Sequence, residues 1–322
     1  MEGGVSCKGR TEAVTLIVMI VIRSIKRYWK SNTKLARGYL KRTDKRNFTG
    51  QRSSNPGDDS AVPMRVMEWN LQYGGAQERL PGIVEAVRRH DPDLLVFLEF
   101  RPEKIIEVSL SLATLGYPYI LNSQPPPRTN GILVASKSPL VQLPGWTRSS
   151  PHRWMEVSPE GSDLRILAVH VPGASDLPGK MEFWKAILDY AREASDLRDR
   201  RIIVGDLSTG LERDSEGTPF LGTEHLASLL DMGWRDIWRE YHQVAREYSW
   251  YSSSGKGMRT DHALASPHIQ HPLWAKYSHQ ERESGISDHS VLILDIMHRL
   301  NESGSRSSPL FRLGEGPGCT IG

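Results

Sequence analysis

Polar residues with useful chemistry stand where apolar runs of this 322-residue chain end. RVMEW ends in Asn70, LLVFL in Glu99, RILAV in His170 and RIIVG in Asp206. Two further segments carry the polar group at or just inside a strand: Arg259-Thr260-Asp261-His262, and Ser287-Asp288-His289 ahead of SVLILDI. Carboxylates, an amide and imidazoles suit hard cations and phosphate oxygens. Rigid strands hold such groups in place while the loops beyond them admit a substrate. Singly, each has an ordinary reading. Asp206 or Asn70 closes a turn through its side chain, His170 is a satisfied structural histidine, and Asp288-His289 opens an edge strand. Glu99 is harder to excuse, because a carboxylate after five apolar residues is costly to bury unpaired. Six such placements in one stretch make a shared site the better reading.

These residues need a scaffold that brings strand ends together. From Met64 onward, short apolar runs alternate with helical patterns. Strands are predicted at 65–70, 93–100, 117–122, 130–136, 163–170, 200–206, 247–251, 259–265 and 288–297. Helices are predicted near 79–90, 103–115, 180–195 and 223–232. Runs apolar on both faces with helices between them indicate an α/β architecture whose sheets are covered. No internal repeat at solenoid spacing is present.

In order, MEWNLQ, DLLVFLEF, NGILVASKSPL, AVHVPG, VGDLSTG, YSWYSSSGKGMRTDHALAS and GISDHSVLILDI resemble the motifs of the endonuclease/exonuclease/phosphatase superfamily. That group includes exonuclease III, apurinic endonucleases and DNase I. The stretch 223–266 is most similar to exonuclease III-like bacterial nucleases. The resemblance covers about residues 64–298 and implies a four-layer α/β sandwich, two mixed sheets face to face with helices outside. It implies Mg²⁺, with Mn²⁺ as substitute, on Glu99, with Asn70 beside it and Asp288 nearby. Asp206 would orient or deprotonate the attacking water. Asp261 would pair with His289 and favour its cationic form, and His170 would contact phosphate or assist the leaving group. The chain departs from the pattern twice: Ser208 stands where the family usually has a phosphate-donating Asn, and Gln72 where many nucleases carry Asp. Trp250 and Tyr251 are candidates for stacking on bases. The implied activity is metal-dependent phosphodiester hydrolysis on DNA, by an endonuclease or exonuclease. The same fold also serves phospholipid, inositol phosphate or small phosphodiester substrates, and a binding relative without turnover is the reading from another class.

Composition sets bounds on this. The formal charge of +3 is uneven: residues 1–63 carry 13 Lys/Arg against 5 Asp/Glu, whereas 64–298 carry 25 against 31. The basic balance therefore belongs to the extension, and a DNA groove in the domain would rest on local cations such as Arg128, Lys137, Lys256 and Arg259. Cys7 and Cys319, the two cysteines, lie in the flanks, so the domain holds neither a disulfide framework nor a thiolate metal site. Residues 1–63 read as a basic, linker-like and non-essential extension. Its apolar run Ala13–Ile22 is about half of the ~20 residues needed to span a bilayer, leaving weak membrane-surface contact as its expected partner. Residues 299–322, rich in Gly, Ser and Pro, read as a disordered tail. The expectation is a cytoplasmic monomer.

Overall fold

The computed structural model describes residues 61–74, 77–145, 150–270 and 273–300. The expectations for the extension, for the tail beyond Leu300 and for both cysteines lie outside the described residues. Among the described residues the first element is β1 (Ala61–Asn70), which starts three residues ahead of Met64, followed by α1 (Leu80–His90), β2 (Leu94–Phe100) and α2 (Ile105–Thr114). Strands β3 (Tyr119–Asn122), β4 (Gly131–Ser136), β5 (Leu140–Gln142), β6 (Trp154–Pro159) and β7 (Leu164–His170) lead to the long helix α3 (Leu177–Asp196). Next come β8 (Arg200–Asp206), α4 (Thr223–Asp231), β9 (Arg235–Asp236), α5 (Ile237–Tyr241) and the short pair β10 (Trp250–Tyr251) and β11 (Gly257–Met258). β12 (Asp261–Ala265), β13 (Trp274–Ser278), α6 (Gln280–Glu283) and β14 (Val291–Arg299) complete it.

Two mixed six-stranded sheets result, ordered β13-β14-β1-β2-β4-β3 and β5-β6-β7-β8-β12-β9. Side chains alternate along a strand, and the burial pattern follows that alternation. Leu94, Val96 and Leu98 of β2 pack between the sheets against Ile166 and Ala168 of β7 and Ile202 and Val204 of β8. Leu95 and Phe97 face the other way, onto Ile83 and Val87 of α1 and Leu112 of α2. On the second sheet, Leu167 and Ile203 meet Phe183, Trp184 and Ile187 of α3. Both faces of each central strand are therefore dry, which is why these runs read as continuously apolar. The layers are helix, sheet, sheet, helix: the four-layer α/β sandwich implied by the motifs.

β5, β6, β9, β11 and β13, with the short helices α5 and α6, lie outside the elements predicted from the sequence. In β6 an acid interrupts the run: Glu156 is buried because it accepts a hydrogen bond from Tyr190 Oη at 2.7 Å. The register of the second sheet places three polar residues side by side. His170 at the end of β7 pairs with Asp206 at the end of β8, and Asp206 pairs with Asp261 at the start of β12. Gly205 makes this junction possible. Its φ is +144°, and a Cβ there would lie 2.0 Å from the Val169 carbonyl oxygen.

Candidate active site

β1 and β2 deliver the first sheet's contribution. Asn70 is the last residue of β1 and lies opposite Leu98 of β2. Between Phe97 and Phe100 the pairing of β2 with β4 shifts by one residue. Within that bulge Glu99 has a φ of +55°, an uncommon conformation for a side chain of this kind. The bulge turns the carboxylate out of the sheet. Glu99 Oε2 accepts the Tyr73 backbone N–H at 2.7 Å. Oε1 lies 3.5 Å from Asn70 Nδ2 and 3.7 Å from His170 Nε2.

Asp206 meets the same two groups. Its Oδ2 is 3.3 Å from Asn70 Nδ2, 3.8 Å from His170 Nε2 and 4.0 Å from His289 Nε2, while Oδ1 accepts the Ser208 N–H at 2.7 Å. Glu99 Oε1 and Asp206 Oδ2 thus converge on one spot. Burial, then the neighbouring Asp261 charge, pushes the Asp206 carboxyl up to about 6. A carboxylate at that value is a competent base near neutrality.

His289 immediately precedes Ser290 and β14, and its ring sits over the start of β12. Nδ1 is 2.9 Å from Asp261 Oδ2 and 3.1 Å from Oδ1. Burial opposes charge on this ring, but the Asp261 charge and hydrogen bond outweigh it and raise the imidazole to about 10. For Asp261 burial again opposes ionisation, and His289 together with hydrogen bonds from Ser249 and Thr260 holds the carboxyl below its usual value. The pair is an imidazolium oriented by a carboxylate. Ligating atoms of Asp206, Asp261 and His289 lie within 4.8 Å of one another, as metal ligands would. With Nδ1 committed to Asp261 and the ring charged, we read that trio as an ion pair beside a base.

His170 is different. Burial, then Arg153, drives its pKa well below the ordinary value, so the ring is neutral. Arg153 Nη1 lies 3.1 Å from His170 Nδ1, and a guanidinium only donates. Nδ1 must therefore accept, which puts the ring proton on Nε2, facing Glu99 and Asp206. Arg153 was not apparent in the sequence, because its place ahead of β6 carries no motif.

Three expected roles are altered by geometry. Asn70 Oδ1 accepts the Gln72 N–H at 3.0 Å, so the amide nitrogen faces Glu99 and Asp206. In this orientation Asn70 holds the carboxylates by donating and offers no ligand oxygen to a cation. Asp288 Oδ2 accepts the Trp250 indole N–H at 3.1 Å, because adjacent residues point to opposite sides and His289 takes the inward one. Ser208 Oγ donates its one proton to the Val171 carbonyl at 3.0 Å, and the Ser208 carbonyl accepts from the buried Lys180 ammonium at 2.6 Å. Its φ is +48°, a conformation in which Asn is favoured over Ser. The loop is thus held by Lys180, whose place on the apolar face of α3 beside Phe183, Trp184 and Ile187 was a readable signal.

Two of the expected groove cations are elsewhere. Arg259 is buried, bonded to Asp214 and Asp236 and packed 4.9 Å from the Trp238 ring centroid. Lys137 pairs with Asp91 at 2.6 Å, near the opposite end of β2 from Glu99. Arg128 and Lys256 are exposed. A further acid went unread: Glu68, two residues before Asn70 on the same face of β1, is fully buried, and neither oxygen has a hydrogen-bond partner. Burial, then the charges of Asp261 and Asp206, raises its carboxyl well above the usual value, so it stays neutral.

The Endonuclease/Exonuclease/phosphatase family model matches residues 67–289. The chain belongs to this family of phosphoester-hydrolysing enzymes. Among solved structures it is similar to an AP endonuclease from Archaeoglobus fulgidus, with 18% identity and a TM-score of 0.62. It is also similar to the 3'-5' exonuclease NExo from Neisseria meningitidis, with 19% identity and a TM-score of 0.62. A Neisseria 3' phosphatase NExo bound to product DNA hairpin shares 20% identity at the same TM-score. Each alignment covers 72% of this chain and 99% of the other. No curated protein sequence matches. Among the described residues, no helix is long and apolar enough to cross a membrane.

Proposed function

We propose that this protein hydrolyses phosphodiester bonds in DNA with a divalent cation, Mg²⁺ or in its place Mn²⁺. The observation that carries this reading is the convergence of Glu99 Oε1 and Asp206 Oδ2 beside the His289–Asp261 pair. Two carboxylate oxygens facing one spot suit a hard cation that keeps most of its waters. Glu99 would hold the cation, which would neutralise charge on the phosphoryl group. Asp206 takes a proton from the attacking water, a step open to it above about pH 6. Imidazolium His289 stabilises charge on a phosphoryl oxygen, and His170 offers its Nε2 proton to a second oxygen or to the departing one. Ser208 serves as a loop anchor in this scheme, with Lys180 behind it. The DNA relatives of like fold support the substrate class.

The test is incubation of the full chain with plasmid, an abasic duplex, a 3'-phosphorylated oligonucleotide and bis(p-nitrophenyl) phosphate, with Mg²⁺ or EDTA. Mg²⁺-dependent cleavage of a DNA substrate is expected. Hydrolysis of the chromogenic ester or of an added inositol phosphate with no DNA cleaved would move the substrate class, and no hydrolysis at all would overturn the reading.

A further inference from the structure

Tyr73 is 67% exposed, although it stands two residues from the buried Leu71 and one hydrogen bond from Glu99. An exposed tyrosine alone is unremarkable; the way this one is held is not. Gln72, Tyr73 and Gly74 take φ values of +50°, +57° and +79°, three left-handed residues in succession. For the two with side chains that conformation is unfavourable and needs support. Three hydrogen bonds supply it: Gln72 N–H bonds Asn70, Arg79 Nη2 donates to the Gln72 carbonyl at 2.6 Å, and Tyr73 N–H bonds Glu99. Gly74 lies on the Arg101 stem so closely that a Cβ would come 2.6 Å from Arg101 Cγ.

Arg101 also backs the ring. Its guanidinium carbon lies 5.7 Å from the Tyr73 ring centroid, and Nη1 donates to the Arg128 carbonyl. Arg128 is itself exposed, its backbone N–H bonded to Glu103. The result is an aromatic face open to solvent, a cation behind it whose guanidinium is bonded to the backbone of a second exposed arginine, and the Glu99 carboxylate at its base. We propose that Tyr73 is a stacking platform for one unpaired nucleobase of a nucleic-acid strand, with Arg101 and Arg128 facing the neighbouring phosphates. Bases stack on such rings irrespective of sequence, and arginine adds both cation–π and phosphate attraction. The platform would bind single-stranded or locally unpaired substrate next to the metal-binding carboxylate. It rests on the nucleic-acid reading above and narrows it.

The experiment measures binding of the full chain to a fluorescently labelled single-stranded oligonucleotide by anisotropy in EDTA, so that no turnover is needed. Tyr73→Ala is expected to weaken binding by about 5- to 150-fold, the range for losing one stacked base. Tyr73→Trp should stay within about 3-fold of the parent, because it preserves the stack. An abasic scan of the oligonucleotide should show one position whose base removal costs the parent as much as Tyr73→Ala does, and costs Tyr73→Ala nothing further. Unchanged affinity in Tyr73→Ala, equal losses in Tyr73→Ala and Tyr73→Trp, or independent effects of base removal and substitution would overturn the platform. So would loss of binding to anionic phospholipid vesicles with oligonucleotide binding intact, since that would make Tyr73 a lipid contact. Failure of hydrolysis on every substrate would overturn the proposed function instead, and the two outcomes are read in separate assays.

Discussion

Among the described residues, two of the buried clusters of acids are built in opposite ways. At the site, Glu68, Asp206 and Asp261 have one directly paired cation between them, His289 bonded to Asp261, while Arg153 and Lys180 act on Asp206 without bonding it. Behind it, Asp214 and Asp236 face two arginines: Arg259 bonds both acids, and Arg239 bonds Asp214. Burial pushes every one of these carboxyls upward, yet the outcomes diverge. In the balanced cluster Arg259 overrides burial, and both Asp214 and Asp236 are held below the usual range. In the unbalanced one only Asp261 is held down, while Asp206 and Glu68 rise. Paired charges lock a loop and a strand together; the surplus of acid raises Asp206 to about 6, as the proposed base and cation site require.

The largest effect expected from breaking this contrast is at Glu99. Glu99→Gln removes the carboxylate that would hold the cation, and Mg²⁺-dependent turnover should fall by about 1000-fold or more, several kcal/mol of transition-state stabilisation. Steady-state cleavage assays read this directly, with the unfolding midpoint little changed. Arg259→Met should do the reverse. It leaves Asp214 and Asp236 buried without their main partner, and urea unfolding should show a loss of about 3–5 kcal/mol.

A smaller effect concerns pH. Turnover should rise as Asp206 loses its proton near pH 6 and fall as His289 loses its own near pH 10. Asp261→Asn removes the charge that holds the imidazolium. If the ring returns to about 6.5, the alkaline limb moves down by that distance, and the rate at pH 8 drops roughly 30-fold. A profile whose upper limb does not move would separate His289 from the chemistry.

The smallest effect is at Glu68. A carboxyl raised in the folded state costs stability once the unfolded chain ionises, above the ordinary glutamate value of about 4.5. Glu68→Gln should therefore match the parent at pH 4 and exceed it in Tm as pH rises above the ordinary carboxylate range, with the difference visible at pH 8. Calorimetry at the two pH values checks the sign.

The sandwich was legible because both faces of β2, β7 and β8 are dry, which leaves long apolar runs with one polar residue at each end. Those ends carried four of the side chains that the fold brings together: Asn70, Glu99, His170 and Asp206. What remained hidden depends on orientation rather than residue type. Asp288 and His289 are neighbours in sequence, and only the fold decides which one faces inward. Asn70 is amide to its surroundings by virtue of a turn at Gln72 that no spacing announces. Arg259 sits in a strand-opening motif that gave no hint of its burial, because its partners Asp214 and Asp236 are 45 and 23 residues away. Glu68 was visible as an acid inside an apolar run, and the cost of burying a carboxylate there was the signal to read.

Asp206 is where a role in chemistry for the unbalanced cluster parts from the scaffold role of the balanced one. Turnover and urea unfolding of Asp206→Asn should be measured side by side with the parent at pH 8. The expected result is a rate lowered by about 10²–10⁴, the worth of a general base, with a midpoint equal to or above that of the parent because one surplus buried acid is gone. Retained turnover with a lowered midpoint would contradict it, and would make Asp206 part of the scaffold.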